Sequence, residues 1–263
     1  MRMLARIAIA GSLLINVAGI GLGTKALMDR GGLNYIKHRF GFTTESRAET
    51  QAGYRYRLSV HNSMPVLENE VIFIGDSLTE SYPWAEHYAG LPVRNFGIGS
   101  DKSADLVHRV DTITRRQPAQ VFVMIGHNDF VGNPVPGVVQ RNVREFVETI
   151  HTQSPSTEVV LFSVLPSRRS IYAPMITAGN ERLAEVADEL GIRFVDLYDR
   201  YVDDAGVLRD EFSVDGVHLT KLGYEIWISE IDQLIERMDY VTPMPTLVDR
   251  LDALDPGFVM VSN

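Results

Sequence analysis

The stretch Val71-Ile72-Phe73-Ile74-Gly75-Asp76-Ser77-Leu78 decides the fold. Four apolar residues run together without a polar alternate and close on a glycine. A strand wet on one face alternates polar and apolar; an unbroken short run belongs to a strand covered on both faces. Working outward, residues 93–96 form a second such run, ending at Gly97. Residues 121–125 form a third, ending at Gly126, and residues 159–164 a fourth, ending before Pro166. Residues 194–197 are a weaker fifth.

Helical patterns lie between the runs. Within residues 101–116, Ala104, Val107, Val110 and Ile113 recur every three positions, which predicts one helix with a single apolar stripe. Residues 139–150, 175–190 and 219–238 read as further helices, the second of these stopping at the C-cap residue Gly191. Strands alternating with helices predict a three-layer α/β/α sandwich around a five-stranded parallel sheet, of flavodoxin-like architecture. The domain is expected over residues 66–240, with residues 26–65 as a connector and 241–263 as a C-terminal extension. The connector shows no sustained period, although Tyr35, Phe40, Phe42 and Tyr54 suggest that part of it packs on something.

The amino terminus has a different texture. Residues 7–23 carry no charge and follow Arg2 and Arg6. A spanning helix needs about 20 apolar residues, with a lower limit near 17. Residues 1–25 therefore read as a signal peptide or a membrane anchor, and the two stay open. Lys25, Arg30, Lys37 and Arg39 follow the run, so flanking charge does not favour an outward-facing domain. The basic start before the apolar run is the reason to expect an extracytoplasmic protein, periplasmic or secreted, with possible attachment to a membrane.

Composition excludes several classes. The 263-residue chain has a net charge of −9 and no long Lys/Arg block, which argues against nucleic-acid binding. It has no cysteine, so disulfides, thiolate metal sites and a cysteine nucleophile are ruled out together. The histidines show no metal-ligand spacing, and no metal or cofactor is called for. His38, His61, His87, His108, His127 and His151 read as surface or satisfied residues. A Gly-x-Ser-x-Gly elbow would need glycine where Thr79 stands. A dinucleotide fingerprint from Gly97 and Gly99 would need glycine where Lys102 stands.

In open α/β sheets, ligands bind beyond the carboxyl ends of the strands. The residues found there are Gly75-Asp76-Ser77-Leu78, then Asn95-Phe96-Gly97-Ile98-Gly99, then Gly126-His127-Asn128-Asp129. Asp215-Gly216-Val217-His218 precedes the last predicted helix. These four blocks, in this order over about residues 70–235, resemble those of the GDSL, or SGNH, hydrolase superfamily. Taken singly, each has a blander reading: Ser77 as a helix cap, Asn128 as a turn residue, and Asp215 with His218 as a surface turn.

The resemblance implies an ester hydrolase with Ser77 as nucleophile and Asp215 and His218 as its partners. It also implies oxyanion donors at Ser77, Gly97 and Asn128. The chemistry fits those residue types. A serine hydroxyl needs a base to become a nucleophile. Imidazole exchanges protons near neutral pH, and a carboxylate three residues earlier can fix its tautomer. Gly97 is expected to be glycine so that substrate can approach its N–H. Tyr82, Trp84 and Tyr88 are read as either pocket lining or core, and Arg168 and Arg169 as either a partner for an anionic substrate group or a solvated turn. The expected substrate is a small-molecule or carbohydrate ester, cleaved by a serine esterase. A non-catalytic glycan-binding module and an acyltransferase are the alternatives on the same fold.

Overall fold

The computed structural model describes residues 52–131 and 137–235. The expected signal or anchor at 1–25 and the extension at 241–263 lie outside the described residues. Among the described residues, no helix is long and apolar enough to cross a membrane.

Five strands form one parallel sheet: β1 (Val71–Gly75), β2 (Val93–Gly97), β3 (Gln120–Met124), β4 (Glu158–Phe162) and β5 (Arg193–Val195). Their spatial order is β2-β1-β3-β4-β5. The helices, in chain order, are α1 (Ala52–Ser63), α2 (Ser77–Glu80), α3 (Trp84–His87), α4 (Ser103–His108), α5 (Val110–Thr114) and α6 (His127–Phe130). They continue as α7 (Val138–Gln153), α8 (Ala173–Leu190), α9 (Tyr198–Tyr201) and α10 (Lys221–Ile235).

The unbroken apolar runs are explained by a core on each face of the sheet. Successive strand side chains point to opposite faces. Ile72, Ile74, Val121, Val123, Val159 and Leu161 face one core, closed by Leu106, Ile113, Phe146 and Leu183 from α4, α5, α7 and α8. Val71, Phe73, Phe122, Met124, Val160 and Phe162 face the other, closed by Trp84, Tyr201, Trp227 and Ile231 from α3, α9 and α10.

Two local readings are corrected. The helix expected over residues 101–116 is broken into α4 and α5 at Arg109, whose backbone leaves helical geometry at φ −111°, ψ 16°. The break accompanies a buried role for that side chain. Its guanidinium donates to the strand-end carbonyls of Phe96 at 2.5 Å and Gly75 at 3.0 Å. It also lies 3.0 Å from the Asp101 carboxylate. The second correction concerns the connector, which contains α1. Its packed residues Tyr54, Leu58 and His61 fall one helical turn apart, but only one of the three is aliphatic, so the stripe is faint in the sequence.

The strand order positions the site. The chain leaves β1 for β2 on one side and later runs from β3 to β4 on the other. The connections therefore diverge between β1 and β3, and the crevice at such a switch point is where ligands bind. Ser77 follows β1 and Asn128 follows β3.

Candidate active site

The strand β1 ends in a tight elbow. Gly75 has no room for a side chain, since a Cβ there would lie 2.2 Å from the Met124 carbonyl oxygen. Asp76 then caps α2, its Oδ1 accepting the N–H of Leu78 at 3.0 Å. Ser77 is the first residue of α2, half-buried at the edge of the crevice.

His218 reaches Ser77 from a loop that Asp215 organises. Asp215 Oδ1 accepts the backbone N–H groups of Val217 at 3.0 Å and His218 at 2.8 Å. Its Oδ2 lies 2.7 Å from His218 Nδ1, and His218 Nε2 lies 2.9 Å from Ser77 Oγ. The three side chains expected to act together are thus brought into one hydrogen-bonded line. The bond to His218 is the main reason that Asp215 is held at a pKa of about 2, below the usual carboxylate range. The carboxylate is therefore charged at all but strongly acidic pH, and suits a partner that orients and stabilises an imidazolium.

The loop is braced from outside. Ser213 Oγ donates to the His218 carbonyl and accepts the Gly216 N–H, both at 2.9 Å. Gly216 adopts a positive φ of 92°, and a Cβ there would meet the Arg168 side chain at 2.9 Å. Arg168 donates its backbone N–H to the Gly216 carbonyl at 3.0 Å, and its Nε pairs with Asp210 at 2.8 Å. Its side chain donates to the Ser213 carbonyl at 3.3 Å as well. The charge read as either a substrate partner or a solvated turn is thus engaged in supporting the His218 loop.

Trp84 is a clear correction. Its side chain is fully buried, stacked on Phe73 with ring centroids 4.3 Å apart, and its indole N–H donates to the Thr79 carbonyl at 2.9 Å. No surface remains for substrate. Removing such a ring from a core costs about 3–5 kcal/mol, so its role is in holding α3 and α10 to the sheet.

Gly97 is the second. Its N–H is donated to the side-chain carbonyl of Asn95 at 2.9 Å and is not presented to the crevice. The reason for glycine is different: a Cβ would lie 2.2 Å from the backbone nitrogen of Glu80, so β2 could not close on α2. The same loop approaches the serine two residues later. A Cβ on Gly99 would lie 3.8 Å from Ser77 Cβ, and Ser100 adopts a left-handed φ of 65°. Ser100 N–H donates no hydrogen bond among the described residues. The Gly-x-Gly texture after β2 marked a loop of close approach but could not tell which amide faces the serine.

Asn128 stands where it was expected, after β3. One amide hydrogen goes to the Asp101 carbonyl at 3.0 Å, and the other has only a long 3.5 Å contact with Asp76. Beside it lie the carboxylates of the first and third sequence blocks, Asp76 and Asp129. Burial, the larger cause, and the nearby Asp129 raise Asp76 to about 7. Burial raises Asp129 to about 6, against the hydrogen bonds from Ser103. Two histidines read as surface or satisfied are buried. His127, lowered by burial to about 4, leans on the Leu165 backbone without a well-aligned hydrogen bond, and His61 is lowered by burial to about 3.

A parallel α/β sandwich carrying this polar cluster at its switch point defines an ester-hydrolysing enzyme. The chain belongs to the GDSL-like Lipase/Acylhydrolase family, whose model matches residues 73–226. It is 27% identical over 182 residues to platelet-activating factor acetylhydrolase IB subunit alpha1 of Pongo abelii, covering 65% of this chain and 77% of that protein. The alpha2 subunit of Rattus norvegicus is 24% identical over 185 residues, covering 67% of this chain and 80% of that protein. Among solved structures, a GDSL-like lipase from Bacteroides thetaiotaomicron superposes with a TM-score of 0.61 at 26% identity, covering 71% of this chain and 98% of that one.

Proposed function

We propose that this chain is a serine esterase that removes a short, acetyl-sized acyl group from an O-acyl ester through an acyl-enzyme. The observation that carries the reading is the continuous line from Asp215 through His218 to Ser77, at 2.7 and 2.9 Å. His218 Nε2 takes the Ser77 hydroxyl proton as Oγ attacks the ester carbonyl. The resulting imidazolium is stabilised by Asp215 and gives its proton to the leaving alkoxide. Water then attacks the acyl carbonyl as His218 takes one of its protons; collapse breaks the bond to Ser77 Oγ, which regains that proton from His218, and the acid is released.

The oxyanion of each tetrahedral intermediate needs donors. We assign them to the N–H groups of Ser77 and Ser100 and to the Asn128 side-chain amide, with Ser100 replacing Gly97. One such donor is worth roughly 100- to 1000-fold in rate. The acetyl preference draws support from the acetylhydrolase names of the curated relatives. Because the His218 side chain is 40% exposed and that of Asp215 52%, the alcohol portion has open space and can be part of a larger molecule, such as a carbohydrate or a lipid.

A series of chromogenic esters of rising acyl length tests the reading. We expect kcat/KM to be highest for acetate and propionate and to fall steeply beyond butyrate. Hydrolysis that rises with chain length to octanoate would sink the acetyl preference, and no hydrolysis of any member would favour a non-catalytic module. We extend the proposal to location: the apolar run at residues 7–23 directs the chain to or across a membrane. Fractionation of the full-length chain should place it in the membrane or outside the cytoplasm. Recovery as a soluble cytoplasmic protein with Met1 retained would refute this part alone.

A further inference from the structure

The family match starts at residue 73, so helix α1 lies upstream of it. Yet α1 is tied directly to the loop that passes the nucleophile. Arg57 Nε donates to Glu80 Oε1 at 2.7 Å, and Arg57 Nη2 donates to the same oxygen. The other oxygen, Glu80 Oε2, accepts the N–H of Gly99 at 2.7 Å. One carboxylate therefore joins three elements: α1, the end of the nucleophile helix α2, and the loop after β2.

Apolar contacts follow the same path. Tyr54 and Ile98, 2% and 3% exposed, pack together with Leu58. The His61 ring lies 4.6 Å from that of Phe96. One face of α1 thus grips Phe96, Ile98 and, through Glu80, Gly99. The gripped segment leads straight into Ser100.

We propose that Arg57 and Glu80 are positioning residues, which fix the Gly99 amide and so aim the Ser100 N–H at the developing oxyanion. This rests on the assignment of Ser100 as a donor made above. The physical case is one of geometry. A backbone N–H that loses its acceptor lets its peptide plane turn, and Ser100 shares the loop's left-handed turn. A misplacement of about 1 Å in a reacting group costs up to roughly 100-fold in rate. Stability should hardly register the change: the Arg57 and Glu80 side chains are 44% and 25% exposed, and surface ion pairs contribute little.

The test uses the full-length chain and a short-chain ester. Glu80→Leu removes the acceptor and should lower kcat roughly 10- to 100-fold while KM stays within about threefold. Glu80→Gln retains an oxygen for Gly99 and should recover most of that loss. Arg57→Ala should fall between them, and Arg57→Lys should recover part of the difference. Glu80→Leu with wild-type kcat, or Glu80→Gln as impaired as Glu80→Leu, would overturn the proposal. If Glu80→Leu does not fold, the Arg57→Ala and Arg57→Lys pair decides, and equal, wild-type kcat in both would overturn it. Ser77→Ala, run alongside, separates the two levels. An active Ser77→Ala protein refutes the serine-esterase reading itself, whereas an inactive one beside a fully active Glu80→Leu refutes only the positioning role.

Discussion

Folded Ser77→Ala and folded His218→Ala should each lose roughly 10⁴- to 10⁶-fold in kcat, and the double variant should be little worse than either. On the proposed mechanism the two side chains take part in one event. Ser77 Oγ becomes nucleophilic only as His218 Nε2, 2.9 Å away, takes its proton. Without the base the hydroxyl is inert; without the hydroxyl the base has no proton to move. Losses in such a pair therefore do not add. What survives in all three variants is the contribution of substrate binding and the oxyanion donors. Asn128→Ala should cost less, roughly 100- to 1000-fold, because two backbone donors would remain. Steady-state kinetics on an acetyl ester checks the ordering. If the losses of Ser77→Ala and His218→Ala multiplied in the double variant, the two residues would not share a step.

Asp215→Asn should cost roughly 10³- to 10⁴-fold in kcat with the fold intact. Asp215 has two tasks. Oδ1 accepts the Val217 and His218 N–H groups, and an asparagine oxygen can still do this. Oδ2 accepts from Nδ1 at 2.7 Å, and there an asparagine presents an NH₂ donor instead. The imidazole then turns its lone pair to Nδ1 and its hydrogen to Nε2, which can no longer accept the serine proton. The pH profile gives an independent check. Asp215 is lowered to about 2 by its bond to His218, so it is charged above that pH and protonated only below it. Loss of activity between neutral pH and pH 4 would therefore not report protonation of Asp215. An Asp215→Asn variant as active as wild type would contradict this role.

The sheet was legible in the sequence because both its faces are buried. Runs such as Val71-Ile72-Phe73-Ile74 need no alternation when one set of side chains meets α4, α5, α7 and α8 and the other meets α3, α9 and α10. The serine, asparagine, aspartate and histidine were legible because each follows a strand or precedes the last helix, at the edge where a parallel sheet binds ligands. What could not be read was the direction of single groups. Motif spacing places Gly97 beside the site, but only the Asn95 side chain, folding back on its own strand, shows that its N–H is already taken. Trp84 fits a pocket or a core equally well until Phe73 and Trp227 are seen around it. Arg109 falls in a regular helical stripe, yet its guanidinium is drawn to two strand ends and the helix breaks there. Helix α1 escaped notice for a related reason, since its contacts come from Arg57, Tyr54 and His61 with Leu58 as the one aliphatic member, and not from an aliphatic stripe.

These cases share a cause. Periodicity records which residues avoid water. It does not record where a buried polar group finds its partner, and in this chain those partners decide how the carboxyl edge of the sheet is built.

The central claim is that Ser77 is the nucleophile of a covalent mechanism, and the most direct measurement is covalent capture. The full-length protein is incubated with an organophosphonate fluoride, and the product is read by intact mass and peptide mapping. We expect one adduct per chain, on the peptide holding Ser77, with esterase activity lost in proportion to labelling. The adduct should be absent from Ser77→Ala and form far more slowly in His218→Ala. Stoichiometric labelling at another residue, or esterase activity that persists after Ser77 is fully modified, would contradict the account.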